Sequence, residues 1–167
     1  SSTCQATGTV EDNISPSAAA QNVTVELDGN GSASVTAAQV DNESSDNCGV
    51  ASLSVEPNTF GCSNVGTPVE VTLTVTDVNG NTNTATATVT VVDNLDPVAK
   101  AKPATVELGA DGTGSITGSD VDDASSDNCG IASLSVSPST FDCSNVGTPV
   151  TVTLTVTDVN GNTDTET

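Results

Sequence analysis

The sequence lacks the side chains on which most enzyme and nucleic-acid sites depend. It has no His, Arg, Trp, Tyr or Met, and its basic residues are Lys100 and Lys102, against 22 acidic residues. A net charge of −20 predicts that neither nucleic acid nor an anionic membrane surface is a partner. With no histidine base and no aromatic lining for a substrate cleft or a sugar-stacking platform, we expect neither an enzyme nor a carbohydrate-binding module.

Aromatic residues are almost absent too, since Phe60 and Phe141 are the only two. Any core must therefore be thin and built from Val, Leu, Ile and Ala. Low hydrophobicity with high net charge is typical of disordered chains. Thr and Val alternate over long stretches, however, and this alternation is typical of half-buried strands. The sequence therefore predicts an all-β fold.

An internal repeat organises the chain. Residues 44–82 align without a gap with residues 125–163, an offset of 81 residues, as from Cys48 to Cys129. The linkers share the same offset, because residues 12–16 match residues 93–97. We therefore predict two tandem immunoglobulin-like antiparallel β-sandwich repeats. The predicted segments are an N-terminal strand at 1–11, a linker at 12–22, repeat 1 at 23–92, a linker at 93–102 and repeat 2 at 103–167.

Period-two alternation between turn residues predicts the strands of repeat 1. The Asp28–Gly31 stretch is a turn signal between the first two strands, and Asp77–Asn81 is one before the last. The predicted strands are Val23–Leu27, Ser32–Ala37, Val50–Val55, Val69–Thr76 and Thr82–Val92.

The ends of the chain are offset from the repeat. Residues 1–11 align with the last strand of repeat 1, whereas Thr167 aligns with Thr86, so repeat 2 lacks most of that strand. An open sandwich exposes an edge that another strand can fill. We therefore expect a head-to-tail homopolymer in which the N-terminal strand completes a neighbouring subunit. The alternative is a two-repeat segment cut from a longer tandem array. The inward positions of the donated strand are Cys4, Ala6, Gly8 and Val10.

The five cysteines predict an oxidising, extracellular setting. The spacing from Cys48 to Cys62 recurs from Cys129 to Cys143, and it predicts one disulfide within each repeat. The alternative is free thiols in a cytosolic protein. For the odd residue, Cys4, burial in a neighbour's core and an intermolecular bond both stay open. No signal peptide, transmembrane or lipidation motif is visible, as expected for a mature secreted chain or an excised segment.

Acidic loops from three segments are predicted to converge at the linker end of each repeat. Asp outnumbers Glu by 15 to 7, and oxygen ligands without histidine favour calcium. The alternative is that Asp, Asn and Gly merely form turns and keep a secreted protein soluble. The predicted calcium ligands are Asp12, Asn13, Asp41, Asn42, Asp46, Asp77, Asn79 and Asn81 in repeat 1, and Asp93, Asn94, Asp96, Asp122, Asp123, Asp127, Asp158, Asn160 and Asn162 in repeat 2.

Several motifs together resemble a known family. They are Ser-Asp-Asn-Cys-Gly at 45–49, Val-Gly-Thr-Pro at 65–68, the run at 71–81 and the closing Val-Val-Asp-Asn-X-X-Pro at 91–97. The chain resembles the hyalin-repeat type of immunoglobulin-like domain, which occurs in tandem on prokaryotic surface proteins and adhesins. The resemblance implies an extracellular spacer, stalk or adhesin module, often with calcium at the domain junctions.

Overall fold

β-Strands dominate the folded chain. The computed structural model describes residues 7–167, and in that range the strands form several sheets accompanied by two short α-helices. This confirms the predicted all-β class. No helix in the same range is long and apolar enough to cross a membrane. The strands are β1 Val23–Glu26, β2 Ser32–Ser34, β3 Val50–Glu56, β4 Thr59–Gly61, β5 Val69–Asp77, β6 Thr82–Val92, β7 Thr113–Ser115, β8 Ile131–Ser137, β9 Thr140–Asp142, β10 Thr153–Asp158 and β11 Thr163–Glu166; the helices are α1 Ala37–Val40 and α2 Gly118–Val121.

The chain forms two compact units that do not follow the repeats residue for residue. Unit 1 contains the described residues up to Val25 together with Ser34–Thr59 and Gly66–Thr90. Unit 2 contains Glu26–Ala33, Phe60–Val65 and Val91–Thr167. One end of repeat 1 therefore belongs to the same unit as repeat 2. The domain boundaries drawn from the sequence stay a prediction.

The largest sheet has the strand order β1-β6-β5-β3. β5 and β6 are antiparallel, with Val69 opposite Val89 and Thr76 opposite Thr82. Along β5 the side chains of Val71, Leu73 and Val75 are fully buried, while the threonines between them keep some exposure. The alternation of Val and Thr therefore decides which face of this sheet meets the core.

Repeat 1 departs from its predicted strands after Ser34. The second strand was expected to continue to Ala37, but α1 begins there instead. The backbone N–H and the Oγ1 hydroxyl of Thr36 donate to Oε1 of Gln39 at 2.8 and 2.9 Å, which caps the helix. β4 was not predicted, and it pairs with β2 to form a separate two-stranded sheet.

Repeat 2 has the sheet order β11-β10-β8, with β7 and β9 in a second pair. Its core contains Ala99, Ile116, Val121, Leu154 and Val156. β10 begins three residues later in the repeat than β5, and β11 has four residues where β6 has eleven. Residues 104–107, which align with β1, form no strand. In repeat 1 the second half of β6 pairs with β1 and with the first residues of β5. The described chain contains no residues of repeat 2 that align with this half of β6.

The disulfide pairing predicted from the spacing is wrong. Cys62 and Cys129 are bonded, with S–S and Cα–Cα distances of 1.99 and 5.5 Å, and both lie in unit 2. Cys48 and Cys143 are free and exposed. Within repeat 2, the seven-residue β8 and the three-residue β9 lie between Cys129 and Cys143. A strand as long as β8 spans about 20 Å and one as long as β9 about 10 Å, so β9 cannot bring Cys143 back to within the roughly 7 Å of bonded cysteines. In repeat 1, Cys48 and Cys62 have the same spacing, and β3 lies between them.

Removing this disulfide should strongly reduce stability. The Cys62–Cys129 bond has a sequence separation of 67 residues, and the entropy of closing such a loop corresponds to about 4 kcal/mol. We expect the Cys62→Ala/Cys129→Ala variant to lose about 2–4 kcal/mol in the free energy of unfolding. Urea unfolding of dilute protein measures this value, with Cys48→Ala/Cys143→Ala as the matched control that should lose far less. Equal losses in the two variants would refute the assignment.

Candidate metal centres and an apolar groove

One acidic side chain from each of three segments meets the others in unit 2. Asp93 follows β6, Asp127 precedes β8 and Asp158 ends β10. One carboxylate oxygen from each lies within 4.8 Å of the other two. Asp93 and Asp158 are buried, with exposed fractions of 6 % and 1 %. We call Asp93, Asp127 and Asp158 centre 2.

The turn after β10 holds Asp158 as a carboxylate. Its Oδ1 accepts backbone N–H bonds from Asn160, Gly161 and Asn162 at 2.8, 2.6 and 2.8 Å. Its Oδ2 accepts from Nδ2 of Asn162 at 2.7 Å. Burial raises the pKa of Asp158, but the bonds from Asn162, Asn160 and Gly161 outweigh burial and leave the pKa below its usual value. Centre 2 therefore contains one firmly ionised group.

The other two carboxylates each leave one oxygen without a partner. Oδ2 of Asp127 accepts the N–H groups of Cys129 and Gly130, and Oδ1 of Asp93 accepts the N–H of Leu95. Oδ2 of Asp93, Oδ1 of Asp127 and Oδ1 of Asn128 are buried and have no hydrogen-bond partner. Buried oxygens of this kind are costly unless a donor or a cation meets them.

A second group in unit 1, centre 1, consists of Asp12 and Asp46 together with Asp77, and these residues align with the three aspartates of centre 2. Carboxylate oxygens of Asp12 and Asp46 lie within 4.8 Å of each other and of Sγ of Cys48. Nδ2 of Asn81 donates to the carbonyl oxygen of Asp12 at 3.1 Å and to Oδ2 of Asp77 at 2.8 Å, which joins these two segments. Oδ2 of Asp12 and Oδ1 of Asp46 are again buried without a partner.

The charges in centre 1 affect one another. Burial raises the pKa of Asp77, but the side-chain and backbone bonds from Asn81 outweigh it, and the pKa is lowered as in Asp158. The Asp12 carboxylate raises the pKa of the Cys48 thiol; burial and the charges of Asp46 and Asp77 act in the same direction. Negative charge therefore accumulates at this site.

The remaining predicted ligands are placed elsewhere. In residues 7–167, Asp41, Asp96, Asp122 and Asp123 do not belong to either group of carboxylates. Asp41 and Asp122 instead accept N–H bonds within their own loops, from Ser44 and Ser125. Of the predicted asparagines, Asn81 and Asn162 contact the centres through their side chains, whereas the exposed ones are Asn13, Asn42, Asn79, Asn94 and Asn160.

Two features of the centres were missed from the sequence. Asn128 approaches centre 2, where its Nδ2 lies 3.3 Å from Oδ1 of Asp93, and Cys48 approaches centre 1. Both residues lie in the repeated Ser-Asp-Asn-Cys-Gly motif, so the motif itself carried the signal. The donors that converge in centre 2 are all oxygens, because the sulfur of Cys129 is bonded to Cys62. A donor set of this type fits a hard divalent cation better than zinc or copper.

The lowered pKa of Asp158 predicts that the metal-free protein is sensitive to acid. A carboxylate with a lowered folded pKa contributes stability above its ordinary value of 3.8, and this contribution is lost as the pH falls through the folded pKa. We expect the midpoint temperature of thermal unfolding, measured in chelator, to decrease once the pH is below about 4. The Asp158→Asn variant should have a lower midpoint at pH 7 and a smaller further loss in acid. Parallel curves for the two proteins would exclude this role.

Repeat 2 also contains an open apolar groove of about 840 Å³ in unit 2. Val106, Phe141, Val146, Val150 and Val152 are among its lining residues. Val146 and Val150 are 69 % and 39 % exposed. Polar residues such as Lys102, Asp142 and Asn145 also line the groove. Exposed valines gathered in a groove are typical of a binding site.

In repeat 1 the equivalent space is filled by β6 of the same chain. Val89 pairs with Val69 and Ala87 pairs with Val71, while Val91 bridges to Val65. The side chains of Ala87, Val89 and Val91 are buried. The partners of β6 in this space, Val65, Val69 and Val71, align with the groove residues Val146, Val150 and Val152 of repeat 2.

The predicted donor strand is described only in part. Cys4 and Ala6 lie outside the described residues. Gly8 and Val10 are exposed and belong to no strand, and Val10 is 100 % exposed. Their role in completing another copy stays a prediction.

Comparison with known proteins gives no family for the chain. No family model matches it, and no curated protein matches it. The resemblance to hyalin-type repeats therefore stays a prediction that rests on the motifs.

Proposed function

We propose that the chain is a structural subunit of an extracellular filament that grows head to tail by strand donation. Residues 1–11 of each copy fill the groove in repeat 2 of the preceding copy. The observation that carries this proposal is the groove itself, because repeat 1 fills the same space with residues that align with residues 6–11. The occupant is thus a second copy of this chain.

The register of the donated strand follows from repeat 1. The pairing of Val89 with Val69 corresponds to Gly8 against Val150, and the bridge from Val91 to Val65 corresponds to Val10 against Val146. Thr7 and Thr9 then take the positions of Thr88 and Thr90, which are half-buried. The exposed valines of the groove would thereby lose their contact with water.

Calcium is the proposed cofactor. It would be bound at centre 1 and centre 2, where buried carboxylate oxygens have no other partner. Each centre joins a linker residue, Asp12 or Asp93, to two loops of the repeat that follows it. A bound cation would therefore stiffen the connection into each repeat. We further propose that the chain is hyalin-like, extracellular and without enzymatic activity, since it has no histidine to act as a base for its serines and few aromatic residues to line a substrate cleft.

The second candidate is a segment of a long tandem-repeat adhesin or stalk. There the groove would be filled by the residues that follow in the same chain, with the same register. Incubating the purified 167-residue chain with calcium distinguishes the two. Polymers in analytical ultracentrifugation are expected for the filament subunit. A monomer at all concentrations would reject the subunit and favour the segment.

A further inference from the structure

The Cys62–Cys129 bond has a counterpart between copies of the chain. Adding 81 residues to Cys62 gives Cys143, and subtracting 81 from Cys129 gives Cys48. These are the free, exposed cysteines that the structure describes. We infer that Cys143 of one copy and Cys48 of the next form a disulfide that locks the filament covalently. This inference rests on the proposed head-to-tail order.

The half of the bond around Cys143 already has the conformation found around Cys62. Each cysteine begins a 3₁₀ turn, Cys62–Asn64 or Cys143–Asn145. Sγ of Cys62 lies 3.8 Å from the carbonyl oxygen of Gly31, and Sγ of Cys143 lies 3.7 Å from that of Gly112. The thiol of Cys143 is thus held where the bonded sulfur of Cys62 is held.

The half around Cys48 is formed as well. Oδ2 of Asp127 accepts the N–H groups of Cys129 and Gly130 at 2.8 and 3.0 Å. Oδ2 of Asp46 accepts those of Cys48 and Gly49 at 2.8 and 3.2 Å. The two glycines have similar positive φ angles of 112° and 116°. Both loops therefore present their cysteine in the same way.

Contacts around the existing bond show how the two halves fit. In unit 2, Nδ2 of Asn128 donates to the carbonyl oxygen of Asp28 at 3.2 Å. A Cβ on Gly31 would lie 2.8 Å from Sγ of Cys62 and 2.9 Å from the carbonyl oxygen of Asn128, so the glycine makes room for the loop. Gly112 leaves the same space free beside Cys143, and its φ angle of 75° is close to the 71° of Gly31. The loop with Asn47 and Cys48 of the next copy would enter it.

The chemistry needs an oxidant, and a small disulfide such as oxidised glutathione supplies it. The Cys143 and Cys48 thiols lose two protons and two electrons as the S–S bond forms, and oxidised glutathione takes up both to become two reduced glutathione molecules. The extracellular setting that we propose favours this direction.

The test uses the full chain with Cys4→Ala, the residue that repeat 1 has at Ala85. Calcium-assembled protein is treated with oxidised glutathione and run on a denaturing, non-reducing gel. We expect a ladder of covalent oligomers that a reductant collapses, with a Cys48–Cys143 peptide in mass spectrometry. Cys48→Ser alone and Cys143→Ser alone should give monomers. An equal mixture of these two variants should give dimers and nothing larger, because each supplies one half of a single bond.

The outcomes separate this inference from the proposed function. Filaments in electron microscopy that yield only monomers on the gel would overturn the disulfide and leave strand donation intact. Covalent dimers formed by Cys143→Ser alone would also overturn it, because the one free thiol left in each chain, Cys48, would then be pairing at random. Monomers by both methods would reject the filament together with its cross-link.

Discussion

Replacing Val10 by aspartate is expected to abolish filament assembly. Val10 takes the register position of Val91, which is 1 % exposed in repeat 1. Burying a valine contributes about 1.5–3 kcal/mol, and an unpaired carboxylate in the groove costs at least about 2 kcal/mol more. The concentration needed for assembly should therefore rise by about 300- to 4000-fold. Sedimentation over a concentration series measures this change.

A matched variant separates this effect from that of charge alone. Thr9→Asp adds the same charge one residue away, at a position that aligns with the half-buried Thr90. We expect the concentration needed for assembly of this variant to change by less than about tenfold. Because residue 10 is exposed in the single chain, the folded monomer of Val10→Asp should keep the thermal midpoint of the parent. Equal effects of Val10→Asp and Thr9→Asp would contradict the proposed register.

Asp127→Asn is expected to remove one of two calcium ions. An asparagine oxygen can still accept the N–H groups of Cys129 and Gly130, so the loop should keep its shape. Its amide nitrogen would then take the place of Oδ1 of Asp127, the oxygen that has no hydrogen-bond partner. The loss of one charge contact, about 4 kcal/mol at an effective dielectric of 20, should weaken binding at centre 2 by at least about 100-fold.

Isothermal titration calorimetry measures this result. The parent chain should bind two calcium ions, and Asp46→Asn or Asp127→Asn should each bind one tightly. At a calcium concentration of 100 times Kd, each lost site removes about 2.7 kcal/mol of stabilisation. Asp96→Asn is the control, because Asp96 is exposed and lies outside both centres. No heat of binding in the parent, or equal losses in the control, would contradict the calcium assignment.

The fold class was predictable because two sequence signals reinforce each other. The alternation of Val and Thr along β5 and β6 matches the strand period, and an exact repeat shows it twice. The short helix α1 was missed because its cap is a contact between Thr36 and Gln39 that the alternation does not report. β4 was missed because its three residues are too few to show a period.

The sites were less predictable because they depend on which segments meet. The sequence suggests that acidic residues of three segments meet, and in centre 2 one aspartate from each segment lies close to the other two. Other predicted aspartates satisfy their oxygens locally, as Asp122 does with Ser125. The cysteine spacing was misleading for a related reason. A near-exact repeat fits a bond within one period as well as a bond to the next, and only the lengths of β8 and β9 distinguish the two.

Cryo-electron microscopy of the purified chain in calcium tests the central claim most directly. The account predicts unbranched filaments in which residues 6–10 of one copy lie as a strand along residues 146–152 of the preceding copy, with Val10 against Val146. Single dispersed particles, or filaments in which the groove of repeat 2 stays open, would contradict it.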